Sequence, residues 1–306
     1  MEFLCYLLPF YFYPVHPDLK PVHLDRFHFL RTPVLCLRDW DFYKEMKMRM
    51  WSAMLLALSS SVMAQQTLSG LDIATEMVNR DSGYLSYTAD VQMKISASNG
   101  DTVTRQLMIK GIEQENDGDK IVTYFQAPLD IAGTALLTFS HAIEADDQWL
   151  YLPSVKRVKR ISSNNRSGPF MGSEFAYEDM SSWELDKYRY ELIGEKTENG
   201  QQFWLLACYP QYENSGYSKL VAWIDQSIYQ PRKIEYYDRK GSLFKQLSLT
   251  EYQQFNQRYW RPKFAQMDNL QNQRSSTLIW QNMQLGVDVP ASYFEPNQLR
   301  NAYRHN

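Results

Sequence analysis

The chain is poor in the residues that most chemistry needs. It has three cysteines and five histidines in 306 residues. Beyond residue 64 only Cys208, His141 and His305 remain of these. A single cysteine closes no internal disulfide, and no cysteine cluster is available to hold zinc. Cys208 reads as a buried strand residue, not a nucleophile. His141, alone at the end of a strand, reads as structural or exposed. A Walker loop, a dinucleotide fingerprint, a GxSxG elbow and an HExxH helix are all absent. The acid pairs Asp146-Asp147 and Glu178-Asp179 are sequence neighbours, whose side chains on a strand point to opposite faces. By themselves they form no acid–base pair, and solvated turns are their ordinary place. A binding protein is expected, not an enzyme, with no metal and no cofactor. A basic excess is missing too: 32 Lys and Arg face 35 Asp and Glu, a net charge of -3. Nucleic acid is therefore not an expected partner.

What is present points to β structure. Aromatic residues make up 14% of the chain, including 21 Tyr and 8 Trp, and such side chains suit half-buried pleated surfaces. Residues 47–64 read KMRMWSAMLLALSSSVMA. Lys47 and Arg49 precede an apolar stretch from Trp51 to Val62 that is too short to span a bilayer well. Val62 and Ala64 then offer small or β-branched residues for cleavage before Gln65, the pattern of a secretory signal peptide. An ordinary buried helix is the competing reading. The expected organisation is an upstream extension over 1–45, with translation starting at Met46, Met48 or Met50. A signal peptide over 46–64 and a single domain over 65–306 follow. Gln65 stands where a lipoprotein would carry its lipidated cysteine, so the expected product is soluble and periplasmic. An uncleaved anchor is the alternative.

In LSGLDIATEMVNRDSGY (68–84), Ser69 offers an N-cap with Asp72 three residues on. Leu71, Ala74, Met77 and Val78 form one apolar stripe, and Gly83 is a natural stop. LSYTADVQMKISA (85–97) alternates without a break. Leu85, Tyr87, Ala89, Val91, Met93, Ile95 and Ala97 lie on one face. Asn99-Gly100 predicts a hairpin turn. Strand-like segments then recur at roughly regular spacing to residue 286, with turns at Asn199-Gly200, Asp225-Gln226 and Lys240-Gly241. SSWELDKY (181–188) suggests a short helical turn. The expectation is a mainly β (α+β) chain of about ten to twelve strands. It forms one large antiparallel sheet, curved or partly closed, with helices on its concave side.

One block stands apart. PSVKRVKRISSNNRSGPFMGSEFAYEDM (153–180) opens with Lys156, Arg157, Lys159 and Arg160. On a strand, Arg157 and Lys159 share one face while Lys156 and Arg160 share the other. Two readings stay open: contact with anionic head groups or an acidic partner, or an edge strand protected by charge. The loop 164–176 is long for a connection, and such loops are often lids. Phe170, Met171 and Phe175 either dip into a cavity or staple the loop to the sheet.

The block DDQWLYLPSVKRVKRISSNNRSGPFMGSEFAYEDM (146–180) closely resembles exported outer membrane lipoprotein-sorting proteins of the LolA-like superfamily. FQAPLDIAGTALLTFS (125–140) and DVPASYFEPNQL (288–299) match the same pattern, and the resemblance covers roughly 70–300. It implies a half-open antiparallel β-barrel whose apolar concave face is covered by helices. It also implies a carrier of lipid or lipoprotein acyl chains moving toward the outer membrane. The implied partners are an inner-membrane RND-type exporter and an outer-membrane acceptor. The alternative is a non-carrier adaptor of such an exporter. Cavity and lid positions follow as Leu71, Met77, Val78, Tyr87, Val91, Met93, Phe170, Met171 and Phe175. Lys156, Arg157, Lys159 and Arg160 are the candidate head-group or partner contacts.

Overall fold

A computed structural model describes residues 68–300 except residue 116. The expected extension over 1–45 and signal peptide over 46–64 lie outside the described residues. Helix α1 (Gly70–Asp81) leads into thirteen strands. The first six are β1 (Ser86–Ser96), β2 (Thr102–Ile112), β3 (Lys120–Ala127), β4 (Ala135–Phe139), β5 (Asp147–Leu152) and β6 (Arg157–Arg160). The rest are β7 (Tyr188–Glu198), β8 (Gln201–Pro210), β9 (Tyr217–Asp225), β10 (Gln230–Asp238), β11 (Leu243–Phe255), β12 (Tyr259–Asn269) and β13 (Arg274–Leu285). The number is one above the expected ten to twelve.

Every neighbour pair is antiparallel, and the order runs β6-β5-β4-β3-β2-β1-β13-β12-β11-β10-β9-β8-β7. First and last strands therefore meet in the middle, while β6 and β7 form the two free edges. The result is the expected half-open barrel. The two Asn-Gly pairs behave differently. Asn199 and Gly200 both take positive φ, 52° and 80°, and directly join β7 to β8, the mirror-image turn that suits strand twist. Asn99 instead caps a longer connection, its side chain accepting from Asp101 N at 3.1 Å and donating to the Asp101 carboxylate at 2.7 Å.

The expected capping box is present on α1: Asp72 N donates to Ser69 Oγ at 3.1 Å and Ser69 N to Asp72 Oδ2 at 2.9 Å. The buried stripe shares Ala74 and Met77 with the expected one, while Val78 is half-buried. Gly70, Ile73, Ala74 and Met77 face inward, and Leu71 is exposed. Gly70 is the cause. A Cβ there would lie 2.7 Å from Leu192 N and 2.8 Å from Glu191 C, so the helix rests directly on the β7 backbone. Leu85 also leaves the expected face; it is exposed with φ 67° at the entry to β1.

The main core fills the concave side, joining α1 to β1, β2 and β8–β13. The convex side is covered in part. Val289, Tyr293, Phe294 and Leu299 of the C-terminal segment pack against Val122, Tyr124, Ala135 and Leu137. Strands β3 and β4 are thus buried on both faces, which accounts for their unbroken apolar runs. Over β7–β10, Trp223 lies beneath Lys196 and Lys233, whose Nζ atoms sit 4.3 and 3.5 Å from its ring centre.

Because α1 touches β7 backbone-to-backbone, Gly70→Ala is expected to destabilise the fold by about 1–3 kcal/mol through overpacking. Urea denaturation measures this, and an unchanged midpoint would show that the helix docks elsewhere.

Candidate functional site

The inward side chains of the central strands make a continuous apolar wall. Val91, Met93, Leu107, Ile234, Leu247 and Met267 are all buried in it. Alternation on each strand places them there, since every second residue of a strand shares a face. Residues 161–187, which join the free edges β6 and β7, run across this wall as a strap. Their central stretch folds back on itself. Pro169 and Ala176 form a bridge, and Phe170 N donates to the Phe175 carbonyl at 2.7 Å. Met171 at φ 49° and Gly172 at φ 79° make the bend. The small loop drives Phe170 (0% exposed) and Phe175 (3%) into the wall. The Phe170 ring centre is 5.8 Å from Phe125 and 5.5 Å from Tyr177.

Backbone bonds hold only the strap's two ends, Ile161 N to the Gln148 carbonyl and Gln211 N to the Lys187 carbonyl; between them side chains, not strand ladders, fasten it to the sheet. Lys245 of β11, almost fully buried, donates at 3.0 Å to Asp179, at 3.0 Å to the Glu174 carbonyl and at 2.6 Å to the Tyr217 hydroxyl. Glu174 pairs with Arg274 at 2.9 Å and accepts from Asn269 Nδ2 at 2.7 Å. Arg105 of β2 donates to the Met171 carbonyl, and Gln148 of β5 to the Tyr177 carbonyl at 2.8 Å. Lys187 pairs with Asp146, both buried. Glu178 accepts from Gly216 N, Ser215 Oγ and Tyr212 Oη at 2.9, 3.0 and 3.2 Å. Burial pushes its carboxyl up to about 7, and the neighbouring charge of Asp179 adds to the rise. Asp146, Glu178 and Asp179 thus sit in the strap's fastenings instead of in solvated turns, while Asp147 pairs with Arg160 of β6.

A cavity of about 630 Å³ opens between the end of α1, the strap and the β2–β3 connection. Met77, Val78, Trp183 and Pro231 give it apolar surface, and Asp81, Glu113, Asp119 and Glu184 give it acid. Asp119 accepts from Tyr84 Oη at 2.6 Å and Ser182 Oγ at 3.0 Å, and burial raises its carboxyl above the ordinary range. The volume lies within the range of small-molecule pockets.

The expected site residues divide among these places. Val91, Met93, Met77, Phe170 and Phe175 meet in one core cluster, with Tyr87 and Met171 packed against it. Met77 and Val78 also line the cavity. Leu71 lies on the solvent side of α1. Lys156, Arg157, Lys159 and Arg160 are exposed on β6 and the turn before it, and Arg160 pairs with Asp147. His141 Nδ1 lies 2.7 Å from the Asp117 carboxylate. Cys208 is fully buried on β8. Lys245 was visible as a signal. In LFKQLSLTEYQQF, alternation sets it on the buried face with Leu247 and Leu249, where an unpaired charge would be untenable. Its partners, far away in sequence, were not visible.

The open sheet with a helix and a strap on its concave side defines the class: a half-open β-barrel of the LolA type. A family profile described as "-like: Uncharacterized protein" matches residues 117–301. Among solved structures, the chain is 45% identical to a domain from Vibrio parahaemolyticus described as an outer membrane lipoprotein-sorting protein. The TM-score is 0.74, over 76% of this chain and 98% of that one. A DUF1329 family protein from Desulfovibrio piger is 27% identical, with a TM-score of 0.71 over 75% of this chain and 97% of that one. A LolA superfamily protein from Nitrosomonas europaea shares the fold, at 19% identity and a TM-score of 0.62 over 75% and 98% of the two chains. No curated protein matches the chain. The chain belongs to the LolA-like family of outer membrane lipoprotein-sorting proteins. Among the described residues no helix is long and apolar enough to cross a membrane.

Two outcomes test the fastening. Lys245→Met leaves Asp179 buried without its cation and is expected to cost about 3–5 kcal/mol, with part regained on adding Asp179→Leu. Denaturant titration of the two variants measures both effects. The Glu178 carboxyl lies above its ordinary 4.5 when folded. The folded state therefore holds a proton that the unfolded state releases, and stability falls as pH rises from 4.5 to about 7. Glu178→Gln is expected to flatten Tm across that window; an unchanged slope would assign the pH dependence to another group.

Proposed function

We propose that the chain is a periplasmic carrier that holds lipid or lipoprotein acyl chains against its concave wall on the way to the outer membrane. In this reading an inner-membrane RND-type exporter and an outer-membrane acceptor stand at the two ends of the route. The observation that carries it is the nature of the cover. An apolar wall spans the sheet, and the strap over it is held by side chains that can let go without breaking a strand ladder. The description of the Vibrio relative, which names lipoprotein sorting, supports the same reading.

The energies are compatible. Withdrawing Phe170 and Phe175 forfeits roughly 3–5 kcal/mol each. Burying one methylene returns about 0.8 kcal/mol, so on the order of ten methylenes offset the loss of the two rings, and further ones the loss of the polar fastenings. Ordinary acyl chains are longer. In this mechanism the chain enters beside Met77 and Val78 through the cavity, the strap withdraws, and the acyl group replaces the two rings against Val91 and Met93.

A second reading, an adaptor that docks on the exporter and carries nothing, draws on the same packing. With Phe170 and Phe175 inserted, the wall is filled by the protein's own side chains. Lipid extraction and native mass spectrometry of the full chain, purified from periplasm without detergent, separate the two. The carrier reading expects bound lipid, with higher occupancy in a folded Phe170→Ala/Phe175→Ala variant. Absence of lipid from both proteins would sink the carrier and leave the adaptor.

A further inference from the structure

We propose that the corner formed by the β3–β4 loop and the β5–β6 turn docks the protein on an anionic phospholipid surface. Leu129 is 92% exposed, the highest value among the large hydrophobic side chains of the described residues. It does not sit on a loose loop. Ile131 N, Ala132 N, Gly133 N and Thr134 N all donate to backbone carbonyls of this segment or of Phe125, at 2.8–3.2 Å. The fold therefore presents Leu129 outward from a fixed backbone. Val155, 57% exposed, occupies the β5–β6 turn, closed by Lys156 N donating to the Pro153 carbonyl at 3.2 Å.

Register brings the two together. Tyr124 pairs with Ala135, Ala135 with Tyr151, and Leu152 with Arg157. Both connections thus leave the same end of four adjacent strands, about two strand spacings, or roughly 10 Å, apart. Lys156, Arg157 and Lys159 flank Val155, exposed and, among the described residues, without an ion-pair partner; Arg160 is already paired with Asp147. Asp130, beside Leu129, is the acid of this corner and lies within Coulombic range of Arg105.

Charge decides which end faces the lipid. Exposed Ile143 and Leu85 lie at the other end of these strands. There the connections 113–119 and 140–146 present Glu113, Glu115, Asp117 and Glu144, which an anionic surface repels; Asp146 is buried against Lys187, and Asp119 is held by Tyr84 and Ser182. Aliphatic tips flanked by free cations suit the interface of such a bilayer, where the apolar tip enters the head-group boundary and each nearby cation adds attraction. This does not depend on what the concave wall holds.

The test is co-sedimentation of the full chain with vesicles of phosphatidylglycerol and phosphatidylcholine, against vesicles of phosphatidylcholine alone. Binding is expected to the anionic vesicles only and to weaken with salt. Lys156→Glu/Arg157→Glu/Lys159→Glu should lower affinity on the order of a hundredfold or more, and Leu129→Asp roughly tenfold, with unchanged Tm. Lipid content of the purified variants, measured in parallel, reports separately on the carrier reading. Equal binding to both vesicle types overturns the proposal, as does undiminished binding in the variants. So does a wild type that ignores vesicles but binds an acidic protein through the same cations.

Discussion

Strands β6 and β7 end the sheet at opposite sides of its order, and this open seam governs the rest of the structure. Closing the barrel would have satisfied both edges and filled the interior with alternating side chains alone. Left open, the curved sheet presents an apolar wall that needs another cover. The chain supplies that cover from the segment that must cross from β6 to β7 in any case. Residues 161–187 are both the connection and the cover, and their length follows from that double task.

Two kinds of force hold the strap, with different consequences. Phe170 and Phe175 contribute burial, which is strong but nearly indifferent to register. The charged contacts give direction. Lys245 reaches Asp179 and the Glu174 carbonyl at once, while Arg274 and Asn269 hold the Glu174 side chain. Buried ion pairs contribute little net stability against apolar replacements. Their geometry nonetheless admits one placement of the strap. Between its ends, where Ile161 N meets the Gln148 carbonyl and Gln211 N the Lys187 carbonyl, the strap is fastened through side chains, so its body can detach while the strand ladders stay intact. Segments of that kind belong to the low-stability end of a protein's local opening range.

Much of the fold was legible along the chain. The capping box at Ser69 and Asp72, the alternation from Tyr87 to Ile95 and the regular turn spacing are local signals, and local signals survive in a linear sequence. Leu71 was misplaced because the deciding contact, Gly70 against the β7 backbone, joins residues more than a hundred positions apart. The acid pairs were misread for a related reason. Asp146, Glu178 and Asp179 look like turn residues until Lys187, Tyr212 and Lys245 arrive from elsewhere in the fold. Phe170 and Phe175 were legible as insertable rings, but the sequence left open whether they fill a cavity or staple a loop. The structure joins the two alternatives: by filling the concave wall they staple the strap.

That double role bears on how a filled wall and a carrier are compatible. A permanently empty apolar groove would expose its lining to water between cargoes, and large exposed apolar patches promote association. A groove filled by its own detachable strap avoids that exposure. In the proposed carrier, cargo and strap compete for one surface, so affinity is the difference between acyl burial and ring burial. Affinity then grows with chain length at about 0.8 kcal/mol per methylene, from a threshold set by Phe170 and Phe175. A short amphiphile fails to cross that threshold, while a long acyl chain does, and the strap itself becomes the determinant of chain-length selectivity.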